Sequence, residues 1–326
     1  MSNSSSTSLN GTENTLAINN IPVPVRFWTY LISDVLSIAC SLFVLYYLFF
    51  DRALRRALNN HVIIVLLFIG LVNEITSVPW ILYRQRFGIA LIQTPDFYLS
   101  SYFFDYATFT TQIILFAWAT LERHILIYHD HWISTKQRRF FVHYLPIISI
   151  LIYTLVYYSV TTFGPFCKNS FVSFLAGGYI IPCVYGNKVL AMWELLAHQV
   201  IPTLIIVIFS ISLIIRALQQ KQRVNQRIQW RKYRKMTIQL LSISALYLAF
   251  NSPWVFILFA SQYGLPPNIT RIYTFYGLYF RNYVIFLFPF VCFGSLSELR
   301  DEFKKKFLWC RRQHRGITEM TIESNT

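Results

Sequence analysis

The sequence predicts an all-α membrane protein, built as a bundle of seven transmembrane helices. Three observations carry this. Apolar residues make up 55% of the 326 and charged residues only 13%, with a mean hydropathy of +0.44. A soluble core of this length could not hide that much apolar surface. Second, the chain holds seven apolar runs of roughly 20 residues, the length that crosses about 30 Å of hydrocarbon. Third, basic residues collect in every other link between those runs.

The runs cover residues 27–50, 61–83, 99–127, 140–160, 195–218, 235–261 and 272–293. In lipid the backbone must satisfy its own hydrogen bonds, so each run is read as a helix and its internal prolines as kinks. The links are short apart from 161–194, which gives one bundle domain, 27–296, with no repeat between its halves. Residues 1–26 form a tail whose first 20 positions are rich in Ser, Thr and Asn, a composition that cannot bury a core. No cleavable leader is visible, so the first helix serves as its own insertion signal. Past the seventh run, 297–310 reads as a short amphipathic segment and 311–326 as a polar tail.

Charge sets the orientation. Of the 29 Lys and Arg, 22 lie at the ends and links that follow helices one, three and five or in the tail after helix seven. Six lie on the other side, and Arg281 falls inside helix seven. By the positive-inside rule the N-terminus is extracellular and the C-terminus cytoplasmic, in a multi-pass protein of the plasma membrane. The net charge of +15 is then a topology signal and an attraction to anionic lipid headgroups, not a nucleic-acid footprint, even at "RIQWRKYRKM". The glycosylation sequons at Asn3, Asn10 and Asn268 all fall in segments that this rule places outside.

Cys40 and Cys292 lie within helices and read as small packing residues. Cys167 and Cys183 share the long external link, where an oxidising compartment permits a disulfide. Cys310, in "KKFLWCRR", is a juxtamembrane candidate for palmitoylation, with an unmodified thiol as the alternative. In "LFAWATLERHILIYH", Glu122 and Arg123 interrupt an apolar helix near its end, and charges there are costly and usually functional.

At this point the residues resemble a family. Seven helices with the N-terminus outside, "LERH" ending the third, "QVIPTLIIV" in the fifth, "AFNSPW" in the sixth and "FLFPFVCF" in the seventh are similar to the rhodopsin-like (class A) G-protein-coupled receptors. "SELRDEFKKKF" resembles their amphipathic eighth helix, and the likeness spans about 27–310. It implies a receptor that senses an extracellular ligand and activates a heterotrimeric G protein, with membrane lipids as its other partner. It implies no enzyme activity, cofactor or metal. Glu122, Arg123 and His124 match the family's acidic-Arg-Tyr triplet, with His in place of Tyr; the Arg is implied to rest against its acidic neighbour and turn to the G protein on activation. Pro202, Pro253 and Pro289 match the prolines of helices five, six and seven, where a bend gives the bundle two arrangements.

The chain also departs from the family pattern. Asn251 stands where Trp usually precedes the helix-six proline, and Phe288 and Cys292 replace the Asn and Tyr around the helix-seven proline. Gly70, Asn73 and Glu74 lie near the usual sodium-linked Asp without matching it, and Tyr98 occupies the place of the helix-three disulfide Cys. Helix seven contains no Lys, which excludes a retinal Schiff base. A channel or transporter is the competing class, but between 140 and 215 only Lys168, Lys188 and Glu194 carry charge, all at the external link. The "HDHW" run at 129–132 reads as a polar loop after helix three.

Asp105, Phe109, Trp254, Tyr276, Tyr279 and Arg281 are the ligand-pocket candidates, an aromatic site with a few polar anchors. Asp105 lies 18 residues before Arg123, which is five turns or about 27 Å along one helix face. It matches the position where amine receptors of the family hold an ammonium group. Arg281 needs a buried partner. An Asp105–Arg281 ion pair is the leading expectation; a Glu74–Arg281 pair and a free Asp105 holding an amine are the alternatives.

Overall fold

The computed structural model describes residues 21–128, 135–164, 171–172, 179–180, 186–222, 227–264 and 266–296. Asn3, Asn10, Cys167, Cys183, Cys310, the amphipathic segment and the C-terminal tail lie outside the described residues. The principal helices are α1 (Val23–Phe50), α2 (Leu58–Phe87), α3 (Pro95–Tyr128), α4 (Leu145–Phe163), α5 (Ile201–Gln222), α6 (Arg227–Gln262), α7 (Pro267–Arg281) and α8 (Tyr283–Ser295). A two-residue hairpin, β1 (Phe171–Val172) with β2 (Tyr179–Ile180), pairs antiparallel in the link after α4, with Phe171 opposite Ile180. Two-residue strands carry no periodicity, so this hairpin could not be read from the residues alone.

The helices close on one another. α1 packs on α2 and α8, α3 on α2, α4 and α5, and α6 on α5, α7 and α8. Among the described residues six spans are long and apolar enough to cross a membrane, and α3 is not one of them. The reason is its position. Between residues 95 and 125, where the α3 side chains are described, none stands among the exposed large apolar side chains, whereas α4 presents Ile148, Ile152, Leu155 and Val156 outward. A helix wrapped by three others needs no lipid-facing surface, so α3 can carry Asp, Thr, Gln, Glu and Arg at buried positions.

The prolines act differently from the expected simple kinks. Five-residue π turns, Phe140–Tyr144 and Leu196–Val200, run directly into α4 and α5. Pro146 and Pro202 follow them. Proline has no amide hydrogen and its ring crowds the carbonyl four residues back. Widening the preceding turn relieves that crowding, and the Ile201 amide bonds to the Leu196 carbonyl instead. Pro253 and Pro289 lie inside α6 and α8 as expected, and Pro79 lies inside α2.

Helix seven requires a correction. In place of one run over 272–293 it is two helices, α7 and α8, separated at Asn282. It starts at Pro267, because proline suits a first helical position that needs no donor. Asn268 therefore sits in the first turn of a helix and not in a 262–271 link.

Candidate functional site

At one end of the bundle α3 and α7 meet through charge. Arg281 Nη2 donates to Asp105 Oδ2 at 2.6 Å, with both residues buried, so the expected ion pair is made. Arg281 is the last residue of α7, where the helix dipole favours a cation. Its guanidinium also lies over the rings of Phe109 (4.3 Å) and Tyr106 (5.1 Å), both on α3. Two desolvated charges hold in such a place only with good geometry and further contacts. Glu74 is not the partner of Arg281: it accepts a hydrogen bond from Ser37 on α1.

The other pocket candidates divide. Phe109 joins the ion pair. Trp254, buried beside Pro253, packs on Gly277, one turn before Arg281. Tyr279 turns to α1 instead, where its hydroxyl meets Thr29 at 2.7 Å and its carbonyl accepts from the Tyr30 hydroxyl at 2.6 Å. Tyr276 and Tyr279 both lie within electrostatic reach of Arg26 on α1.

The Trp254–Gly277 contact is tight. A Cβ on Gly277 would stand 2.5 Å from the indole Cε3. Gly277→Ala is therefore expected to destabilise the protein by about 1–3 kcal/mol, the usual cost of overpacking. Adding Trp254→Phe should recover part of the loss, as read by thermal unfolding in nanodiscs. Equal stability of Gly277→Ala and wild type would show that the two helices slide apart without cost.

Midway down the bundle, Gln112 fills the space opposite Gly70 and donates to the Leu66 carbonyl at 3.1 Å. Asn73 donates to Thr108 Oγ1 at 2.6 Å. These two bonds tie α2 to α3 with neutral groups, in the region where the family keeps an acid.

At the far end of α3, Arg123 is buried in a narrow, mainly apolar crevice with Val62, Phe116, Gln239, Leu240 and Ile243, drawn from α2, α3 and α6. Glu122 is close enough to act on its charge. The hydrogen-bond partner of the Glu122 carboxylate, however, is His143 Nδ1, ahead of α4. His124 turns away and meets the Phe209 ring on α5, with centroids 5.3 Å apart. Glu122, the expected rest partner of Arg123, is thus shared with a histidine from the turn ahead of α4.

A second, half-buried network was also missed. Glu194 accepts from the Tyr158 hydroxyl and from His198 Nδ1 (2.7 Å), Thr110 meets Tyr158 at 2.7 Å, and Tyr153 meets His198 Nε2 at 2.9 Å. Glu194 and His198 are four residues apart and share a helix face, so that pairing was readable. The Tyr partners on α4 were not.

No protein-family profile matches the chain, and no curated protein is similar to it in sequence. Comparison of structures gives a clear neighbour. The chain is similar to squid rhodopsin with a TM-score of 0.69 at 15% identity, over 90% of this chain and 88% of that one. Identity this low carries fold and not function. A helical bundle whose third helix is wrapped by its neighbours, carries a buried Arg near one end and is tied by charge to α7 near the other therefore shares the fold of squid rhodopsin.

Proposed function

We propose that the chain is a plasma-membrane receptor that senses an extracellular ligand and activates a heterotrimeric G protein. In this reading α3 is the third of seven spans, the N-terminus is outside, and residues 297–310 form an amphipathic helix on the inner surface. The observation that carries it is Arg123, buried at the end of α3 against α2 and α6 in a chain with this fold. A group held in a crevice between helices is the kind of element that a change in their packing releases. The Asp105–Arg281 pair lies at the opposite end of α3, beside the aromatic pocket candidates. Its carboxylate is engaged, which removes the ready anchor for a small amine and favours a ligand that acts on the pair or on the rings around it.

Three modifications belong to the same proposal: glycosylation at Asn3, Asn10 and Asn268, a Cys167–Cys183 disulfide, and palmitoylation at Cys310. The direct test reconstitutes the purified chain in nanodiscs with heterotrimeric G proteins and screens amines, peptides and lipids for stimulated GTP turnover. Ligand-evoked current without GTP turnover would replace the receptor reading with a channel.

Orientation is tested separately. A single cysteine introduced at position 264, in the turn before α7, should react with an impermeant thiol reagent on intact cells. Reaction only after permeabilisation would reverse the topology.

A further inference from the structure

Four groups form a chain at the Arg123 end of the bundle. The Arg55 carbonyl, in the short helix Arg52–Arg56, meets His61 Nε2 at 2.8 Å. His61 Nδ1 faces His143 Nε2 at 3.1 Å, and His143 Nδ1 contacts the Glu122 carboxylate. The chain links the segment after α1 to α2, to the turn ahead of α4 and to α3. Glu122 and His143 are each 1% exposed.

The two ends fix where the protons lie. A carbonyl only accepts, so His61 Nε2 carries a hydrogen. A carboxylate only accepts, so His143 Nδ1 carries another. If both rings are neutral, each then has its bare nitrogen pointing at the other. Two lone pairs at that distance repel. The contact becomes a hydrogen bond only when one further proton enters the chain. Moving a proton from His143 onto Glu122 does not alter the count: Glu122 then donates to Nδ1, and His143 Nε2–H donates to His61. Wherever the charge rests, the closed chain holds one proton more than an ionised carboxylate and two neutral rings.

We infer that Glu122, His143 and His61 form a proton-binding site whose single bound proton ties α2 to α3 and α4. The proton comes from water on that side of the membrane and returns to it. In the orientation proposed above, that side is the cytoplasm. The tie is strongest in a window of pH. Above it the proton leaves and the lone pairs oppose each other. Below it both rings are doubly protonated and two N–H groups face each other.

The groups that bear on the site from the packed elements, among the described residues, are mostly basic. Asp51, Arg52, Arg55 and Arg56 lie before α2, Lys136, Arg138 and Arg139 lie ahead of the π turn, and Arg123 follows Glu122. Arg55 Nη1 is turned to the Phe49 carbonyl at 3.2 Å, and Asp51 Oδ1 accepts from the Leu54 amide at 3.3 Å. The Tyr144 ring packs against both imidazoles, with centroids 4.7 Å from His143 and 5.9 Å from His61.

The test uses the full chain in nanodiscs, with neither ligand nor G protein, and reads Tm across about pH 5–9, a range that brackets ordinary histidine titration. His61→Asn supplies an amide donor to His143 that does not titrate. The wild-type Tm should pass through a maximum and fall on the alkaline side by roughly 2–4 °C, the shift that the loss of one hydrogen bond gives a chain of a few hundred residues. His61→Asn should lack that fall. A difference between the two proteins that stays constant with pH would overturn the site. Nitrogen spectra of the histidine-labelled wild type give the count directly, without a variant. They should show a hydrogen-bonded proton between His143 Nε2 and His61 Nδ1 that disappears as pH rises, and two bare nitrogens facing each other throughout the range would equally overturn it. Neither readout uses signalling, so failure here leaves the receptor proposal standing.

Discussion

Asp105→Asn is expected to cost the folded protein roughly 3–5 kcal/mol, the penalty for removing one partner of a buried ion pair. The cost lies less in the lost bond than in what remains. Arg281 would keep its charge at 2% exposure, beside the rings of Phe109 and Tyr106 and without the carboxylate at 2.6 Å. Arg281→Gln should do comparable harm from the other side, since it takes the cation away from a carboxylate at 5% exposure. Either variant should accumulate poorly or, where it folds, show raised basal GTP turnover, because the α3–α7 contact that holds the observed packing has gone. The charge swap Asp105→Arg with Arg281→Asp should recover part of the loss but not all of it. The transferred guanidinium starts from α3 and no longer lies over two rings of that helix. An apolar pair, Asp105→Leu with Arg281→Met, gives the sharper comparison. Replacing both charges removes the desolvation cost along with the attraction, so it should approach wild-type stability while changing ligand response. Single variants that fold and signal normally, or a swap no better than the worse single variant, would return Asp105 to the amine-binding role.

The Asp105–Arg281 pair was legible in the sequence because the fold made it a question of register. Five turns separate Asp105 from Arg123 on one face of α3, Arg281 lies two turns before a helix-seven proline, and an intramembrane Arg must find an acid. Helix positions were legible for the same reason: 20 apolar residues in a row have few other uses. What escaped was set by neighbours that one sequence does not pair. Glu122 could have been held by Arg123 or by a group on another helix, and nothing in "RRFFVHYLPII" marks His143 as that group. The break at Asn282 escaped because the runs on either side of Arg281 and Asn282 are apolar, and hydropathy cannot distinguish one helix from two in line. Tyr279 was drawn into the pocket by its composition, whereas its register turns it to Thr29 and Tyr30 on α1. The prolines announced bends but not their form. A π turn is a property of the residues before the ring, and those residues look like any other apolar helix.

Arg123→Ala is expected to separate stability from signalling. Arg123 is 5% exposed, with Val62, Phe116, Leu240 and Ile243 among its neighbours. Removing the charge relieves desolvation but also takes a cation from beside the buried Glu122, so the two effects oppose and the variant should still reach the cell surface. Its coupling should nevertheless collapse. A charge-assisted contact made only in the complex is worth roughly 1.5–3 kcal/mol, which is more than tenfold in G-protein turnover at a given ligand concentration. Arg123→Lys should fall between the two, because the ammonium keeps the charge but loses the planar fork that makes paired hydrogen bonds. Leu240 and Ile243 make the interpretation specific: they line the crevice from α6, so Leu240→Ala should loosen the lid over Arg123 and raise basal turnover in a protein that still has the Arg. In the Arg123→Ala background the same change should have no effect on turnover. Surface labelling and GTP turnover measured on the same cells distinguish the outcomes. Full coupling in Arg123→Ala would reduce the residue to an anchor at the membrane boundary, and a Leu240→Ala gain that persists without Arg123 would place the switch on another residue.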